Sequence, residues 1–303
     1  MNGTESKSCL GIVAGGGALP VAVAEAAMAQ GRPVFIAAFE GAADLALTRF
    51  PHSWVRWGQV GKLLRILRAQ GCKELVIVGG VRRPNVWRVR PDWGLMRNLP
   101  LIVSLTSGGD DRVLTRVVRF FEEQGFCVRG AHEIAPHLLA PKGPLGACKP
   151  GAQDWSDIAL GFEVTKALGA FDVGQSAVVS RGYVLAMEAA EGTDAMLRRC
   201  RDLRQWGLRG ASGVLVKRPK PGQEMRIDVP AIGPRTVQLA SEAGLRGIAV
   251  ASERVLLADA DEMIAGAERR NLFIVGVDED ELDVMDREGS IAARAERDPL
   301  AER

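Results

Sequence analysis

The sequence predicts an α/β protein in two parts, with a parallel, helix-covered sheet in the first half and a mixed sheet in the second. Three observations carry this. Up to about residue 131, short apolar runs alternate with helical segments. A stretch rich in proline and glycine, without periodicity, interrupts the chain at residues 136–151. Beyond it, a hairpin pattern is mixed with further strand–helix units. A length of 303 residues also exceeds what one small core needs.

In the first part, residues 10–15 form a short apolar strand that ends in Gly15, Gly16 and Gly17. Residues 19–30 are helical in composition and stop at Gly31, and residues 34–39 make the next strand. From Gly58 to Gln70, Val60, Leu63, Leu64 and Leu67 share one helical face, while Lys62, Arg65 and Arg68 lie away from it. Gly71 ends that helix before a buried-type strand at 74–80. Asp110 and Asp111 stand where an N-cap belongs, ahead of Val113, Leu114, Val117, Val118 and Phe121. Gly125 closes the helix before a strand within residues 126–131. Strands separated by helices of this length imply parallel pairing. The expected division is a first domain at 1–135, a linker at 136–151, a catalytic domain at 152–278 and a charged tail at 279–303.

The second part opens with a helix around residues 158–168. Residues 175–189 hold two strand-like runs separated by Arg181-Gly182, a hairpin signal. A capped helix at 191–203 and a strand at 213–218 follow. Pro234 suits a first helical position and opens a helix to about Ala243. A strand at 247–252, a helix at 261–270 and a strand at 271–277 complete the pattern.

Composition narrows the function. Thirty-nine Lys and Arg against 37 Asp and Glu leave a net charge of +2, which argues against a nucleic-acid partner bound through overall charge. Three histidines are too few for a His-rich catalytic cluster. Five scattered cysteines, without CxxC or zinc spacing, read as reduced thiols of a cytoplasmic protein. Residues 9–29 have the apolarity of a signal peptide, but the three glycines and Pro20 break its helical core. No unbroken run of membrane-spanning length is expected.

Several motifs could carry chemistry. Gly15, Gly16 and Gly17 after the first strand could cradle a phosphate or sugar, or make a tight turn. As a dinucleotide fingerprint the turn is incomplete, because Pro20 replaces the third glycine, although Glu40 ends the second strand at suitable spacing. Gly79-Gly80 repeats the theme, followed by a loop carrying Arg82, Arg83, Arg88 and Arg90 near Trp87 and Trp93. That loop is either solvated or suited to anionic head groups at a membrane surface. A nucleophile elbow and a Walker A loop are both absent.

The dense region runs from Asp172 to Asp228. DVGQ ends in Gln175, Glu188 stands at a strand end, and Gly192, Thr193 and Asp194 open a helix. Lys217, Lys220, Gln223, Glu224, Arg226 and Asp228 follow in a proline-bounded run. Alternation in MRIDV places Arg226 and Asp228 on one face of a strand. Lysines and arginine beside carboxylates, without an activated Ser, Cys or His, fit a phosphate ester or anhydride. Oxygen ligands suggest Mg²⁺ or a similar hard divalent cation.

In chain order, GIVAGGGALP, WVRWGQVGKLL, GGVRRPNVWRVRPD, GGDDRVL, DVGQSAVV, AMEAAEGTDAML and VKRPKPGQEMRIDVPAIGPRT resemble the metal-dependent UDP-2,3-diacylglucosamine pyrophosphatases of lipid A biosynthesis. This is the family unrelated to the metallophosphatase-type enzymes of the same step. The resemblance spans residues 10–277. It implies a Rossmann-like N-terminal domain, a distinct C-terminal domain, and an acylated nucleotide-sugar substrate held between them at the inner-membrane surface.

It also implies that Asp228 is the aspartate on which activity depends, through metal binding or water orientation. By chemistry and proximity in sequence, Lys217, Lys220, Gln223 and Arg226 are then expected on the diphosphate. Glu188, Thr193 and Asp194 are expected to line the same cavity, Glu188 and Asp194 as further metal ligands. Gly15, Gly16, Gly17, Gly80, Arg83, Gln175 and Gly192 complete the expected substrate contacts. The oligomeric state is left open, a homodimer included. Two alternatives stand beside this reading, a nicotinamide-dependent oxidoreductase and a non-enzymatic binder of nucleotide sugars or lipids.

Overall fold

A computed structural model describes residues 8–81, 92–94, 110–203, 211–280 and 282. The chain forms two compact units, one from Met1–Leu138 with Gly222–Val229, the other from Leu139–Pro221 with Pro230–Arg303.

In the first unit, β1 (Leu10–Ala14), β2 (Val34–Phe39), β3 (His52–Val55), β4 (Glu74–Val78) and β5 (Cys127–Arg129) form one sheet. Its order is β3-β2-β1-β4-β5, and all four pairings are parallel. The central strand β1 is buried at all five positions, which is why it reads as an unbroken apolar run. Among the described residues the α-helices are α1 (Leu19–Ala29), α2 (Val60–Ala69), α3 (Asp110–Glu123) and the four-residue α4 (Ala131–Ile134). On α2 the leucines at 63, 64 and 67 are buried, as their spacing predicts. They join a core with Val13, Phe35, Leu75, Val118, Phe121 and Val128. Ile227 packs against that core, which accounts for the assignment of Gly222–Val229 to this unit. These eight residues, inside the span expected at 152–278, thus group with the first unit.

In the second unit, β6 (Gly143–Leu145), β7 (Ser176–Ser180), β8 (Tyr183–Met187), β9 (Val214–Lys217), β11 (Gly247–Ala251) and β13 (Phe273–Val277) form a mixed sheet. Its order is β6-β13-β11-β9-β7-β8. The inner strands β13, β11 and β9 pair in parallel, whereas β6, β7 and β8 are added antiparallel. A short pair, β10 (Ala231–Ile232) and β12 (Leu256–Leu257), stands apart from it. Among the described residues four helices accompany the sheets, α5 (Ala152–Gly169), α6 (Thr193–Leu203), α7 (Pro234–Glu242) and α8 (Ala260–Glu268). The expected α/β class, with a parallel sheet followed by a separate mixed one, is what the chain adopts.

Three local outcomes differ from expectation. Residues 143–145 lie in the stretch read as linker, yet they form the edge strand β6. The strand β3 escaped the sequence reading because HSWV is short and only part-buried at a sheet edge. Helix α5 starts six residues before the expected segment, at Ala152, because Asp154 accepts from Gly151 N at 2.9 Å and closes its first turn.

The predicted hairpin is present, and a buried carboxylate organises it. Asp157, 1% exposed on α5, accepts from Arg181 N at 2.9 Å and Gly182 N at 2.7 Å. Among the described residues, no helix is long and apolar enough to cross a membrane.

Candidate functional site

Three adjacent strand ends of the second unit carry polar side chains. Glu188 follows β8, Ser176 opens β7, and Lys217 closes β9, where Ser176 and Lys217 are cross-strand partners. Glu188 N donates to Ser176 O at 2.9 Å, which locks the first two together. Prolines at 219 and 221 cannot extend the ladder, so the strand stops where Lys217 meets the helix α6.

The Lys217 ammonium donates to Thr193 Oγ1 at 2.7 Å, and Ser176 Oγ lies 3.4 Å from the same hydroxyl. Thr193 is the first residue of α6, and Gly192 ahead of it takes φ +81°. Lys217, Lys220 and Glu188 are all at least nine-tenths buried. Lys220 is paired with Asp172, a residue held at φ +61°. Two residues on, Gly174 is irreplaceable for steric reasons. At φ +47°, a Cβ there would sit 2.0 Å from Glu188 O. Gln175 N reaches Glu188 Oε2 at 3.4 Å, and Gln175 O accepts from Arg218 N at 3.0 Å. Arg218 itself turns to Glu279 at 2.8 Å.

The expected strand through MRIDV is a turn instead. Asp228 N and Ile227 N both donate to Glu224 O, at 3.0 and 3.2 Å, so face alternation does not apply. The turn gathers four of the expected residues within the first unit. Gln223 Nε2 donates to Asp228 O at 2.7 Å and to Asp228 Oδ2 at 2.6 Å. Arg226 places Nε and Nη2 on the two oxygens of Glu224, at 2.8 and 2.7 Å, and Nη1 on Glu122 Oε1 at 2.8 Å. That fork holds the Glu224 carboxyl below its ordinary range, and Glu224 in turn raises the Arg226 guanidinium. With three nitrogens on carboxylates, Arg226 is built to fasten this turn. The expectation of a phosphate ligand at Arg226 meets a guanidinium already committed.

The glycine-rich turn after β1 has its own account. Gly15 N donates to Val78 O, Gly16 N to Gly80 O, Gly80 N to Gly16 O, and Gly17 N to Asp44 Oδ2 at 2.7 Å. A Cβ on Gly15 would meet Gly80 O at 2.6 Å. These glycines let two backbones cross, and the N–H groups expected on a phosphate are already engaged. Glu40 pairs with Arg56 at 2.7 Å, a commitment that counts against a role on a cofactor ribose. Arg83 lies outside the described residues, as do Arg82, Arg88, Arg90 and Trp87. The far end of that loop is anchored, because Asp92 accepts from Gly61 N and Lys62 N at the start of α2.

Of the three expected metal ligands, Asp228 belongs to the first unit and Glu188 and Asp194 to the second. Among the described residues, no three His, Cys, Asp or Glu side chains are grouped to hold an ion. Asp194 is taken by Arg235 at 2.5 Å, an exposed pair that raises the guanidinium. Asp172, Ser176, Glu122 and Asp44 were not among the expected site residues. Asp172 had a readable signal, since Asp-Val-Gly ahead of a strand marks a left-handed turn.

Against known proteins, residues 9–138 match the family profile described as "LpxI N-terminal domain", and residues 141–275 match "LpxI C-terminal domain". The chain belongs to the LpxI family. A curated relative, UDP-2,3-diacylglucosamine pyrophosphatase LpxI of Caulobacter vibrioides, is 42% identical over 276 residues, which cover 90% of this chain and 98% of the relative. The LpxI C-terminal match includes Gly222–Val229, although those residues fold with the first unit.

Proposed function

We propose that this chain hydrolyses the diphosphate of UDP-2,3-diacylglucosamine, giving UMP and 2,3-diacylglucosamine 1-phosphate. The observation that carries this reading is identity of 42% over nearly the whole chain with a relative named for that activity. The side chains supply chemistry of the right kind. An anhydride of phosphoric acid needs a water held for in-line attack and cations to receive the charge on the leaving phosphate.

Asp228 is the group assigned to the water, as orienting carboxylate and general base. Gln223 fixes its Oδ2, so the carboxylate is held in one rotation. The new bond joins water oxygen to phosphorus, the bridging P–O bond breaks, and one proton passes to Asp228. Lys217 is assigned to phosphate charge, and Thr193 keeps its ammonium in place. Arg226 and Glu224 maintain the turn that presents Asp228.

A hard divalent cation such as Mg²⁺ remains part of the proposal. Mg²⁺ commonly binds through one or two carboxylates plus substrate phosphates, so a three-carboxylate cage is not required. Asp228 is the carboxylate assigned to it, and the ion would neutralise phosphate charge. The acyl chains favour a reaction at the cytoplasmic face of the inner membrane, since each buried CH₂ is worth about 0.8 kcal/mol.

The test is UMP release from UDP-2,3-diacylglucosamine by the purified chain, with and without EDTA, and by Asp228→Asn. We expect a loss of roughly 10³-fold in kcat for the variant, with substrate still bound. Unchanged turnover in Asp228→Asn rejects its assignment, and turnover indifferent to EDTA rejects the cation.

A further inference from the structure

The second unit buries two lysines three positions apart, and their surroundings differ. Lys220 is 7% exposed and its ammonium is paired with the Asp172 carboxylate. Lys217 is 5% exposed and its ammonium donates to a neutral hydroxyl, Thr193 Oγ1. Among the described residues, Lys217 makes no ion pair.

A buried cation without a counter-charge is unfavourable, because desolvation is not repaid by a partner. Such a group persists where an anion arrives from outside. The neighbours of Lys217 suit one. Thr193 and Ser176 bring two hydroxyls 3.4 Å apart, and α6 starts at Thr193 with its positive end there. The acidic residue at this sheet end, Glu188, turns Oε2 toward Gln175 N.

Lys220 is arranged otherwise. Asp172 adopts left-handed backbone at φ +61°, a conformation aspartate tolerates better than most residues. Gly174 behind it is pressed on the backbone of Glu188, so the turn has little freedom to swing Asp172 away.

We propose that Lys217 is the lysine that takes a phosphate group of the substrate, and that Asp172 is a positioning residue whose carboxylate withholds Lys220 from that role. The proposal rests on the diphosphate reading above and divides the work between two lysines that the sequence alone treats as equals. The ligand class is a phosphate oxyanion carried by a nucleotide-linked sugar.

Inorganic pyrophosphate titrated calorimetrically into the full chain tests this without relying on hydrolysis. The parent chain is expected to bind it. Lys217→Met should weaken binding by at least about tenfold, the worth of one charge-assisted hydrogen bond. The same variant should melt at a higher temperature in anion-free buffer, since a buried uncompensated charge has gone. Asp172→Asn removes the charge of that carboxylate beside Lys220 and should tighten pyrophosphate binding, whereas loss of a purely structural carboxylate would weaken it. If Asp172→Asn does not fold, Asp172→Glu keeps the charge and must bind pyrophosphate as the parent does.

The proposal is overturned if the parent binds no pyrophosphate, if Lys217→Met binds it as the parent does or melts lower, or if either Asp172 variant binds it more weakly. Separate UMP assays keep the two readings apart. A parent chain that binds pyrophosphate through Lys217 but releases no UMP sinks the hydrolytic reading and retains the site. Release of UMP together with unchanged pyrophosphate binding in Lys217→Met sinks this proposal alone.

Discussion

The side-chain amide of Gln223 holds Asp228 twice, at its backbone carbonyl and at Oδ2, 2.7 and 2.6 Å away. Both contacts span five residues of one turn, so one neutral donor reaches the aspartate's main chain and its carboxylate together. A neutral donor fixes the carboxylate without adding charge.

Replacing that donor should therefore cost rate more than stability. Gln223→Ala removes this restraint on the carboxylate, and misplacement of a reacting group by about 1 Å costs roughly 100-fold. We expect kcat for UMP release to fall by about that factor with little change in KM. Gln223→Glu gives a sharper result, because a second carboxylate beside Asp228 raises its pKa. The acid limb of the pH profile of kcat/KM should then move to higher pH, and an unmoved limb would show that Asp228 is not the titrating group.

The Glu224–Arg226 fork predicts how this turn responds to acid. Arg226 lowers the Glu224 pKa from its ordinary 4.5, so folding favours the ionised form. The stabilisation is complete above that ordinary value and is lost as pH falls through the lowered folded value. Arg226 is 37% exposed, so solvent screening keeps the pair to about 1 kcal/mol. Denaturant midpoints of the parent and of Glu224→Gln should differ at neutral pH and converge below the ordinary glutamate value. Parallel curves over the whole range would refute the linkage.

Gly174 predicts a failure of a different kind. At φ +47°, with a Cβ position 2.0 Å from Glu188 O, alanine must displace backbone rather than a side-chain tip. Gly174→Ala should destabilise the chain by about 3 kcal/mol, readable as a lower thermal midpoint. The lost alignment of Glu188 and Gln175 should reduce UMP release beyond what the folded fraction explains.

Much of this architecture is legible in the sequence because burial leaves a pattern. The strand Leu10–Ala14 is apolar throughout since both of its faces are covered, and the buried leucines of Val60–Ala69 sit at helical spacing. The hairpin at Arg181-Gly182 is equally plain, for both residues take positive φ. What escapes lacks such a pattern. The strand Gly143–Leu145 has three residues on a sheet edge, too few to show alternation. MRIDV alternates like a strand, yet hydrogen bonds back to Glu224 O coil it into a turn.

The candidate site is legible in its residue types and not in its pairings. Sequence places Lys217, Lys220, Gln223, Arg226 and Asp228 close together, and nothing in their order reveals which cations are already neutralised. Arg226 meets Glu122 from 104 residues away, and Lys220 meets Asp172 from 48 away. Spacing along the chain cannot disclose such partners. The glycines after the first strand are ambiguous for a related reason, since a close backbone crossing and a phosphate cradle demand the same residue.

The path of the chain sets a timetable for its own synthesis. Residues Gly222–Val229 complete the first unit, and Ile227 fills part of its core, yet the ribosome makes them after β9 of the second unit. The first unit must wait, its apolar surface incompletely covered, until Ile227 has been made. A gene cut between the two domain matches would strand Asp228 with the wrong fragment.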